Sequence, residues 1–289
     1  MSANVFTYEK AFSRNLGWIT PEEQKKIAKV KVGIVGMGGV GGQYAEILTR
    51  LGVQQFYLCD EDEFAVENSN RQNGCQIENY GRKKVEVIKE RILAINPNAN
   101  VKTQDTFLKV DQVEAFCGEI DFYFDCIDFF ELDVRAKLFE CMQKLKKTAI
   151  TAAPIGTGSS SVVFDQSSMT FENYFGLNST TVETHRNILF LIGLAPSLQH
   201  LRYLIDTKYS DFKNRKAPSL PLGVYSCAAA AAGTIFLKLV IGRGKVLKAP
   251  WSTHYDPFNS CLKETYLLFG NRSPLQILKF KIIKWKLNL

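Results

Sequence analysis

A glycine loop is the part of this sequence best suited to holding a phosphate. Residues 36–41 place Gly36, Gly38 and Gly41 in the spacing G-x-G-x-x-G. Glycine permits a tight turn and a close approach of the backbone to an anion, and a helix that begins there offers free N–H groups and the positive end of its dipole. Asp60 follows about 20 residues later, where a carboxylate usually binds ribose hydroxyls. The set predicts a nucleotide site.

The charged residues after the loop indicate which kind of nucleotide to expect. A nicotinamide or flavin dinucleotide is the usual ligand of such a loop, and the helix N-terminus largely satisfies its two phosphates. A triphosphate needs further cations and usually a metal, because charge develops on the leaving pyrophosphate. Arg71 can grip phosphate oxygens in a fork and Lys84 can act as a point charge, although most arginines and lysines are simply solvated. Together they favour a triphosphate.

Asp128 is a candidate metal ligand. The apolar residues 120–125 predict a buried strand, and Asp128 follows its end. Open α/β sheets bind their ligands at the carboxyl ends of parallel strands, where a carboxylate can hold Mg²⁺ against phosphates. The alternative role is the N-cap of a helix that starts near Phe130, and one residue can fill both roles.

Placing these side chains together requires an α/β sheet. The apolar run at residues 30–35 predicts a buried parallel strand, residues 44–51 have helical spacing, and residues 55–58 predict a second strand. We therefore expect a Rossmann-like, mostly parallel sheet with helices on both faces. Residues 1–165 would form the nucleotide-binding part, and residues 166–289 a C-terminal helical, substrate-facing part that continues the same domain.

The ordered motifs resemble the ThiF/MoeB group, bacterial relatives of ubiquitin-activating enzymes. The matching segments are residues 12–15, the glycine loop, residues 60–62 with Asn68, residues 70–72, Gly81, Lys84, residues 95–97 and residues 125–128. The resemblance implies an ATP-dependent adenylyltransferase. In such enzymes the C-terminal carboxylate of a small ubiquitin-like protein, a sulfur-carrier protein or a peptide attacks the α-phosphorus of ATP, pyrophosphate leaves, and an acyl-adenylate forms.

The same resemblance implies roles for individual residues. Phosphate-lining and ribose-binding positions would be Gly38, Gly39, Gly41 and Asp60. Contacts to the polyphosphate would come from Asn68, Arg71, Gln72 and Lys84, with Asp128 near Mg²⁺. Arg14 resembles an arginine that reaches across a dimer interface to the ATP of the partner subunit, so the expected active unit is a homodimer.

Two departures from the group change what the resemblance implies. The group often has Thr-Asp-Asn where this chain has Ile127, Asp128 and Phe129, so one hydrogen bond to the acceptor or the adenine is lost. Many relatives hold a structural zinc with two Cys-x-x-Cys pairs, but none of the seven cysteines has that spacing, so no zinc is expected. Cys227, in an alanine-rich helix, and Cys261 are the late candidates for a thioester nucleophile, and adenylation without a covalent enzyme intermediate is the preferred version.

The C-terminal part carries few chemical signals. Residues 154–161, rich in glycine and serine, predict a flexible loop that a substrate tail could cross, or a plain linker. The apolar residues 188–194 predict a helix against the core and are too few to span a membrane. The lysine-rich residues 278–286 could lie on a membrane surface or bind an acidic partner, but an edge strand or a helix that closes the domain is favoured.

Composition is that of an ordinary soluble enzyme without a transmembrane span. The chain of 289 residues has a net charge of +7 and is 46% hydrophobic. An odd number of cysteines without framework spacing favours reduced thiols and a cytoplasmic location.

Three other functions compete with the first. A nicotinamide- or flavin-dependent oxidoreductase would use the same loop and would bind NAD but not ATP. An adenylating tRNA-modifying dehydratase also lacks the zinc pairs, and it is the alternative that calls for a nucleic-acid partner, held by salt-sensitive binding. A non-catalytic dimeric binding module would have little reason to keep Arg71, Lys84 and Asp128 together.

Overall fold

The chain is organised around an eight-stranded sheet, which the computed structural model describes together with its helices over residues 5–206, 209 and 217–286. The strands are β1 (Lys31–Val35), β2 (Gln55–Cys59), β3 (Asn100–Gln104), β4 (Phe122–Asp125), β5 (Thr148–Ile155), β6 (Gly158–Phe164), β7 (Trp251–Asp256) and β8 (Cys261–Tyr266). Their order is β3-β2-β1-β4-β5-β6-β7-β8, parallel from β3 to β5 and antiparallel from β5 to β8.

Helices cover both faces of this sheet. They are α1 (Tyr8–Ala11), α2 (Pro21–Lys29), α3 (Gly39–Leu51), α4 (Lys84–Ile95), α5 (Val113–Glu119), α6 (Leu132–Lys144), α7 (Phe171–Phe175), α8 (Glu183–Leu194), α9 (Pro221–Cys227), α10 (Phe236–Ile241) and α11 (Pro274–Lys286), with a π-helical segment (Ala228–Ile235) between α9 and α10. One core packs α3, α4, α9 and the π-helical segment on the sheet, and the other packs α5 to α8. The predicted Rossmann-like fold is confirmed.

Successive side chains along a strand point to opposite faces of the sheet, which explains why two cores form. Val32 and Ile34 of β1 belong to the core under α3, whereas Val35 belongs to the core on the opposite face. All three side chains are at most 5% exposed, because a central parallel strand is covered on both sides. The division of the chain at residue 165 stays a prediction, although β7 and β8 from the C-terminal part extend the same sheet.

The prediction of a flexible loop at residues 154–161 was wrong. Residues 148–155 and 158–164 pair antiparallel as β5 and β6, and every residue of β6 is buried. A small polar side chain suits this position because a neighbouring element satisfies its hydroxyl: Ser160 Oγ donates to the Leu194 carbonyl at the end of α8. Small residues also let α9 pack closely against the turn between β5 and β6, since a Cβ at Gly223 would lie only 2.6 Å from the Gly156 carbonyl oxygen.

Two apolar helices of the C-terminal part lie on opposite faces. The predicted helix at residues 188–194 is the buried second half of α8. Within the described residues, Pro221–Ile241 is long and apolar enough to cross a membrane by length and composition alone, with 33% of its most apolar window buried. Its Cys227, Ala231 and Phe236 are fully buried in the core beneath α3. The expectation that no segment spans a membrane stays a prediction.

Candidate active site

The glycine loop connects β1 to α3 in a conformation that only glycine tolerates at two of its positions. Gly36 has a φ of +94°, and a Cβ there would collide with the Cys126 carbonyl. A Cβ at Gly41 would collide with the Gly36 carbonyl. Gly38 is different, because the nearest atom to a Cβ there is Gln72 Nε2 at 3.7 Å. Packing therefore explains Gly36 and Gly41, whereas a Cβ at Gly38 would make only an ordinary contact with Gln72, and Gly38 lies at the start of a helix, where an anion can bind.

The carboxylate of Asp60, just after β2, fixes the backbone of the glycine loop. One carboxylate oxygen accepts a hydrogen bond from the Met37 N–H, and the other accepts from the Asp62 N–H at 2.7 Å. Burial raises the pKa of the Asp60 carboxyl, while the nearby charge of Lys84 and these N–H groups oppose the rise. Asp60, the residue predicted to bind the ribose, is thus held beside the glycine loop by the backbone N–H groups of Met37 and Asp62.

Lys84 is a buried cation at the first residue of α4. It is 5% exposed, and its Nζ lies 2.7 Å from the Asp62 carboxylate, which is itself largely exposed. The adjacent Lys83 points outward and pairs with Glu63 at 3.3 Å. Asp62 was given no role from the sequence, since a partner 22 residues away leaves no local pattern. The pair fixes the Lys84 ammonium at the same edge as Asp60.

The segment between β2 and α4 brings further predicted residues to the loop. Asn68 ends the 3₁₀ turn Val66–Asn68, and its Oδ1 accepts from the Ala65 N–H at 3.0 Å. Arg71 Nη1 donates to the Glu67 carbonyl at 3.0 Å and to Asn70 Oδ1 at 2.9 Å.

Gln72 carries an unsatisfied polar atom. It is 9% exposed, and its Oε1 has no hydrogen-bond partner among the described residues. Buried carbonyl oxygens are nearly always satisfied, so an unsatisfied one on a side chain that lies beside Gly38 fits a ligand that brings a hydroxyl or amino group. A nucleotide has both.

A buried ion pair shapes the loop after β4. Arg135 of α6 donates from Nε to both oxygens of Asp125, at 3.0 and 2.8 Å, and both side chains are at most 2% exposed. The Arg135 guanidinium also donates to four main-chain carbonyls between residues 127 and 131. Sequence reasoning missed Arg135, although a charged residue between the apolar Val134 and Leu138 of a helix is the signal that could have found it.

Asp128 sits at the tip of this loop and is exposed. Its Oδ1 accepts from the Phe130 N–H at 3.0 Å, but α6 begins at Leu132 with Glu131 as its N-cap, so Asp128 caps a turn rather than the helix. Within the part of the chain described here, no group of three or more His, Cys, Asp or Glu residues could hold a metal. Mg²⁺ needs only one or two carboxylates when substrate phosphates and water complete its shell, so Asp128 fits it.

These residues converge on one edge of the sheet. The last residues of β1, β2 and β4, which are Val35, Cys59 and Asp125, lie side by side in register. The glycine loop, Asp60 and the Asp128 loop all leave from that edge, which is where open α/β sheets bind ligands.

Arg14 is not brought to this site within one chain. It lies exposed in the 3₁₀ turn Ser13–Asn15. The neighbouring Asn15 donates to the Leu51 carbonyl at 3.3 Å, which is the far end of α3. That end is about 18 Å along the helix axis from Gly39. A contact between Arg14 and a nucleotide therefore needs a second copy of the chain.

Cys227 is too deeply buried to suit a nucleophile, and Cys261 lies away from the nucleotide site. Cys227 is fully buried, and burial raises the pKa of its thiol. Cys261 is the first residue of β8 rather than part of a loop. That strand is four strands from β4, or about 19 Å across the sheet. Because the thiolate is the reactive form, a buried thiol of raised pKa is a poor nucleophile.

Comparison with known proteins identifies relatives of this arrangement. A model of the ThiF family matches residues 12–261. The chain is 29% identical to the tRNA threonylcarbamoyladenosine dehydratase of Haemophilus influenzae over 53% of this chain and 59% of the relative. It is 27% identical to the sulfur carrier protein ThiS adenylyltransferase of Escherichia coli over 48% of this chain and 55% of the relative. The matches span about half the length of these curated relatives.

Solved structures share the fold over most of the chain. E. coli MccB with AMPCPP and the peptide MccA has a TM-score of 0.67 at 19% identity, covering 92% of this chain and 74% of MccB. E. coli tRNA N6-threonylcarbamoyladenosine dehydratase, TcdA, in complex with ATP has a TM-score of 0.57 at 23% identity, covering 81% of this chain and 95% of the other. At such identities the likeness shows the fold alone.

Proposed function

Because the chain belongs to the ThiF family, we propose that it is an ATP-dependent adenylyltransferase that activates a carboxylate. The acceptor we propose first is the C-terminal carboxylate of a small ubiquitin-like protein, a sulfur-carrier protein or a peptide. A carboxylate oxygen attacks the α-phosphorus of ATP, the bond from that phosphorus to the bridging oxygen breaks, and pyrophosphate takes the electron pair. The products are an acyl-adenylate and pyrophosphate.

The buried cation at the glycine loop is the observation that carries this proposal. Lys84 is 5% exposed, pairs with the exposed carboxylate of Asp62 and acts electrostatically on Asp60, so its ammonium is fixed at the edge that holds the loop. Adenylyl transfer builds negative charge on the departing pyrophosphate, and a fixed cation stabilises that charge without reorganisation. Hydride transfer from a dinucleotide develops no such charge, which disfavours the oxidoreductase alternative.

The remaining roles follow from position. The N–H groups at the start of α3, near Gly38 and Gly39, would bind phosphate oxygens, and Gly41 would keep that helix close to the loop. Asp60 would bind the ribose, while Asn68, Arg71 and Gln72 would line the polyphosphate. Mg²⁺, when bound, would neutralise phosphate charge, and Asp128 would hold it. In this proposal the protein acts chiefly by positioning and electrostatics.

A tRNA acceptor is the second candidate. The observation in its favour is the similarity to a protein named tRNA threonylcarbamoyladenosine dehydratase. A threonylcarbamoyl group carries a carboxylate, and activating that carboxylate as an acyl-adenylate would make loss of water feasible. The adenylation step would then be the same, and only the surface that receives the acceptor would differ.

We also propose a cytoplasmic homodimer as the active unit. All seven cysteines are unpaired, as is usual in a reducing compartment. The position of Arg14, at the end of α3 opposite the glycine loop, supports the dimer, because the role that the resemblance implies for this arginine would then require a partner subunit.

ATP–pyrophosphate exchange with Mg²⁺ tests the proposal. The full chain would be assayed alone, with proteins or peptides that end in Gly-Gly, and with tRNA. Asp128→Ala is the loss variant, and Asp111→Ala, which removes a solvent-exposed carboxylate in the 3₁₀ turn Val110–Gln112, is the matched control.

The outcomes separate the candidates. Exchange that requires a Gly-Gly acceptor and is lost only in Asp128→Ala supports the first acceptor class, and exchange with tRNA alone supports the second. If ATP does not bind and NAD or a flavin does, adenylation is wrong and the oxidoreductase reading replaces it.

A further inference from the structure

Helix α11 is apolar on two opposite faces. Its inner face packs on α8, where Phe280 and Ile283 join the core and the Gln276 side chain donates to the Ile192 carbonyl at 2.8 Å. The outer face carries four large side chains that are 62%, 53%, 44% and 77% exposed, namely Leu275, Leu278, Ile282 and Trp285. Their spacing of three and four residues places them in one continuous stripe along the helix, which we call the outer stripe.

Lysines border the outer stripe on both sides. At about 100° per residue, Lys281 falls on one side of it and Lys279 and Lys286 on the other, while Lys284 lies further round the helix, toward α8. The sequence from 274 to 286 contains no acidic residue. Lys279 donates to the Pro196 carbonyl at 2.7 Å and anchors the helix to the body. The ammonium groups of Lys281, Lys284 and Lys286 form no ion pair with any described residue, so they are available to an anionic surface.

A basic cleft opens beside the helix. It has a volume of about 480 Å³ between α8 and α11, and its lining includes the cations Arg272 and Lys284 together with His185, whose pKa is lowered by burial and by the charge of Lys284. The His185 ring packs edge-on against Phe280, with centroids 5.5 Å apart. The base of the cleft is apolar and its rim is basic, which suits a ligand that has a negatively charged head and an aliphatic body.

We propose that the outer stripe and its lysines dock this protein on an anionic phospholipid bilayer. The helix would lie in the plane of the interface, with the outer stripe among the acyl chains just below the headgroups and the lysines at the phosphates. The basic cleft would accept a headgroup phosphate beside the helix. This goes beyond adenylation, since it concerns where the enzyme works and uses no residue of the nucleotide site.

Charge and apolar area together select this occupant over others. A second copy of α11 would set lysines against lysines, with no acidic residue to pair them. A nucleic acid would engage the lysines but leave four large apolar side chains in water. An anionic bilayer satisfies both, because each lysine near such a surface strengthens binding about fivefold at low salt while the apolar stripe is buried.

Vesicle binding by the full chain tests the proposal. Sedimentation would compare phosphatidylcholine vesicles with vesicles that contain about 30 mol% phosphatidylglycerol. In a Trp18→Phe, Trp251→Phe background, which leaves Trp285 as the one tryptophan of the chain, its emission should shift to the blue on the anionic vesicles only. The double variant Leu278→Ser, Ile282→Ser should reduce the partition coefficient at least tenfold, and Lys281→Glu at least fivefold.

Matched controls carry the same chemistry elsewhere on the surface. Ile77→Ser removes an apolar side chain that is 83% exposed, and Lys25→Glu reverses an exposed charge on α2. Both should bind vesicles as the unaltered chain does. Unchanged thermal melting and ATP binding in every variant would show that the fold and the nucleotide site are intact.

Three results would overturn the proposal. The first is absence of binding to anionic vesicles at low salt. The second is a concentration-dependent dimer that the double serine variant dissociates, which would assign the outer stripe to a second copy. The third is retention of tRNA that Lys281→Glu abolishes and the serine variant does not, which would assign the lysines to a nucleic acid.

Discussion

At the scale of single residues, two adjacent lysines at the start of α4 have opposite surroundings. Lys84 is buried and faces the Asp60 edge, whereas the Lys83 side chain is 39% exposed and pairs with Glu63. We expect Lys84→Met, which keeps the volume and removes the charge, to lower the rate of ATP–pyrophosphate exchange about 10²-fold because a fixed cation is lost at the leaving group. Lys83→Met should stay within about twofold. Equal losses in both variants would mean that the charge acts only at long range.

Two glycines of the loop should have different roles, one in folding and the other in ATP binding. A Cβ at Gly41 would collide with the Gly36 carbonyl, whereas the nearest atom to one at Gly38 is 3.7 Å away. Gly38→Ala should therefore cost the fold about 1 kcal/mol, from a ψ that suits glycine better, and should weaken ATP binding about tenfold or more by filling the phosphate cradle.

Gly41→Ala should instead lower the midpoint of urea unfolding sharply. Calorimetric titration of ATP and urea unfolding of both variants would measure the two effects. Loss of ATP affinity in proportion to loss of stability in Gly38→Ala would contradict the separate role.

At the scale of elements, the loop that presents Asp128 depends on the Arg135–Asp125 pair. Arg135→Leu would leave Asp125 as an unpaired charge that is buried together with its hydrogen-bond partner Thr151. We expect the free energy of unfolding to fall by about 3–5 kcal/mol, measured by urea denaturation. Lys144→Leu, which breaks the exposed pair with Glu140, should leave the unfolding midpoint unchanged. Similar midpoints for the two variants would show that the buried pair is dispensable.

A pair of histidines holds the 3₁₀ turn Gln199–Arg202 against β7. The rings of His200 and His254 lie 6.2 Å apart, and His254 Nδ1 is 2.8 Å from the Ser197 hydroxyl. Burial, reinforced by the charge of His254, lowers the pKa of His200 to about 4. A folded-state pKa below the unfolded value means that stability is full above pH 6.5 and falls as the unfolded chain takes up a proton.

Because the pKa of His200 is lower in the folded chain than in the unfolded chain, acid should destabilise the fold. Between pH 7 and pH 4.5 the His200 contribution should fall by about 2–3 kcal/mol. In His200→Gln, which cannot be protonated, urea unfolding should lose that part of the pH dependence. A variant with the full pH dependence of the unaltered chain would place the titration at another group.

At the scale of the whole molecule, local pattern predicted three strands of the parallel half of the sheet, β1, β2 and β4, and missed what long-range contacts decide. Apolar runs and glycine spacing located β1, the loop and α3, because each is determined by its own residues. The hairpin of β5 and β6 was missed because Ser159, Ser160 and Ser161 resemble a loop until neighbours cover them. Arg135 and Asp62 were missed because their partners are 10 and 22 residues away.

The site shows the same division. The sequence indicated which residues to expect at the sheet edge, and the structure brings Gly38, Asp60, Gln72, Lys84 and Asp128 there. Their roles stay predictions, since no contact with a nucleotide tests them. Arg14 lies at the other end of α3, so its role depends on an assembly that one chain does not contain.

Mixing two inactive variants tests that assembly. If Arg14 of one subunit completes the site of the other, Arg14→Ala and Asp128→Ala homodimers should each lack exchange activity. A mixed dimer holds one complete site, formed by Asp128 of one chain and Arg14 of the other. Random reassociation of equal amounts should therefore restore about a quarter of normal activity, since half of the dimers are mixed and each has one working site of two.

Failure of the mixture has a definite meaning only with a control for exchange of subunits. Co-purification of untagged Asp128→Ala with affinity-tagged Arg14→Ala supplies it, because the activity of Arg14→Ala mixed with the unaltered chain is half of normal whether or not subunits exchange. If the two variants co-purify as a dimer and their mixture stays inactive, Arg14 does not act across the interface. If Arg14→Ala alone keeps full activity, the arginine has no part in catalysis, and the argument for a dimer as the active unit is wrong.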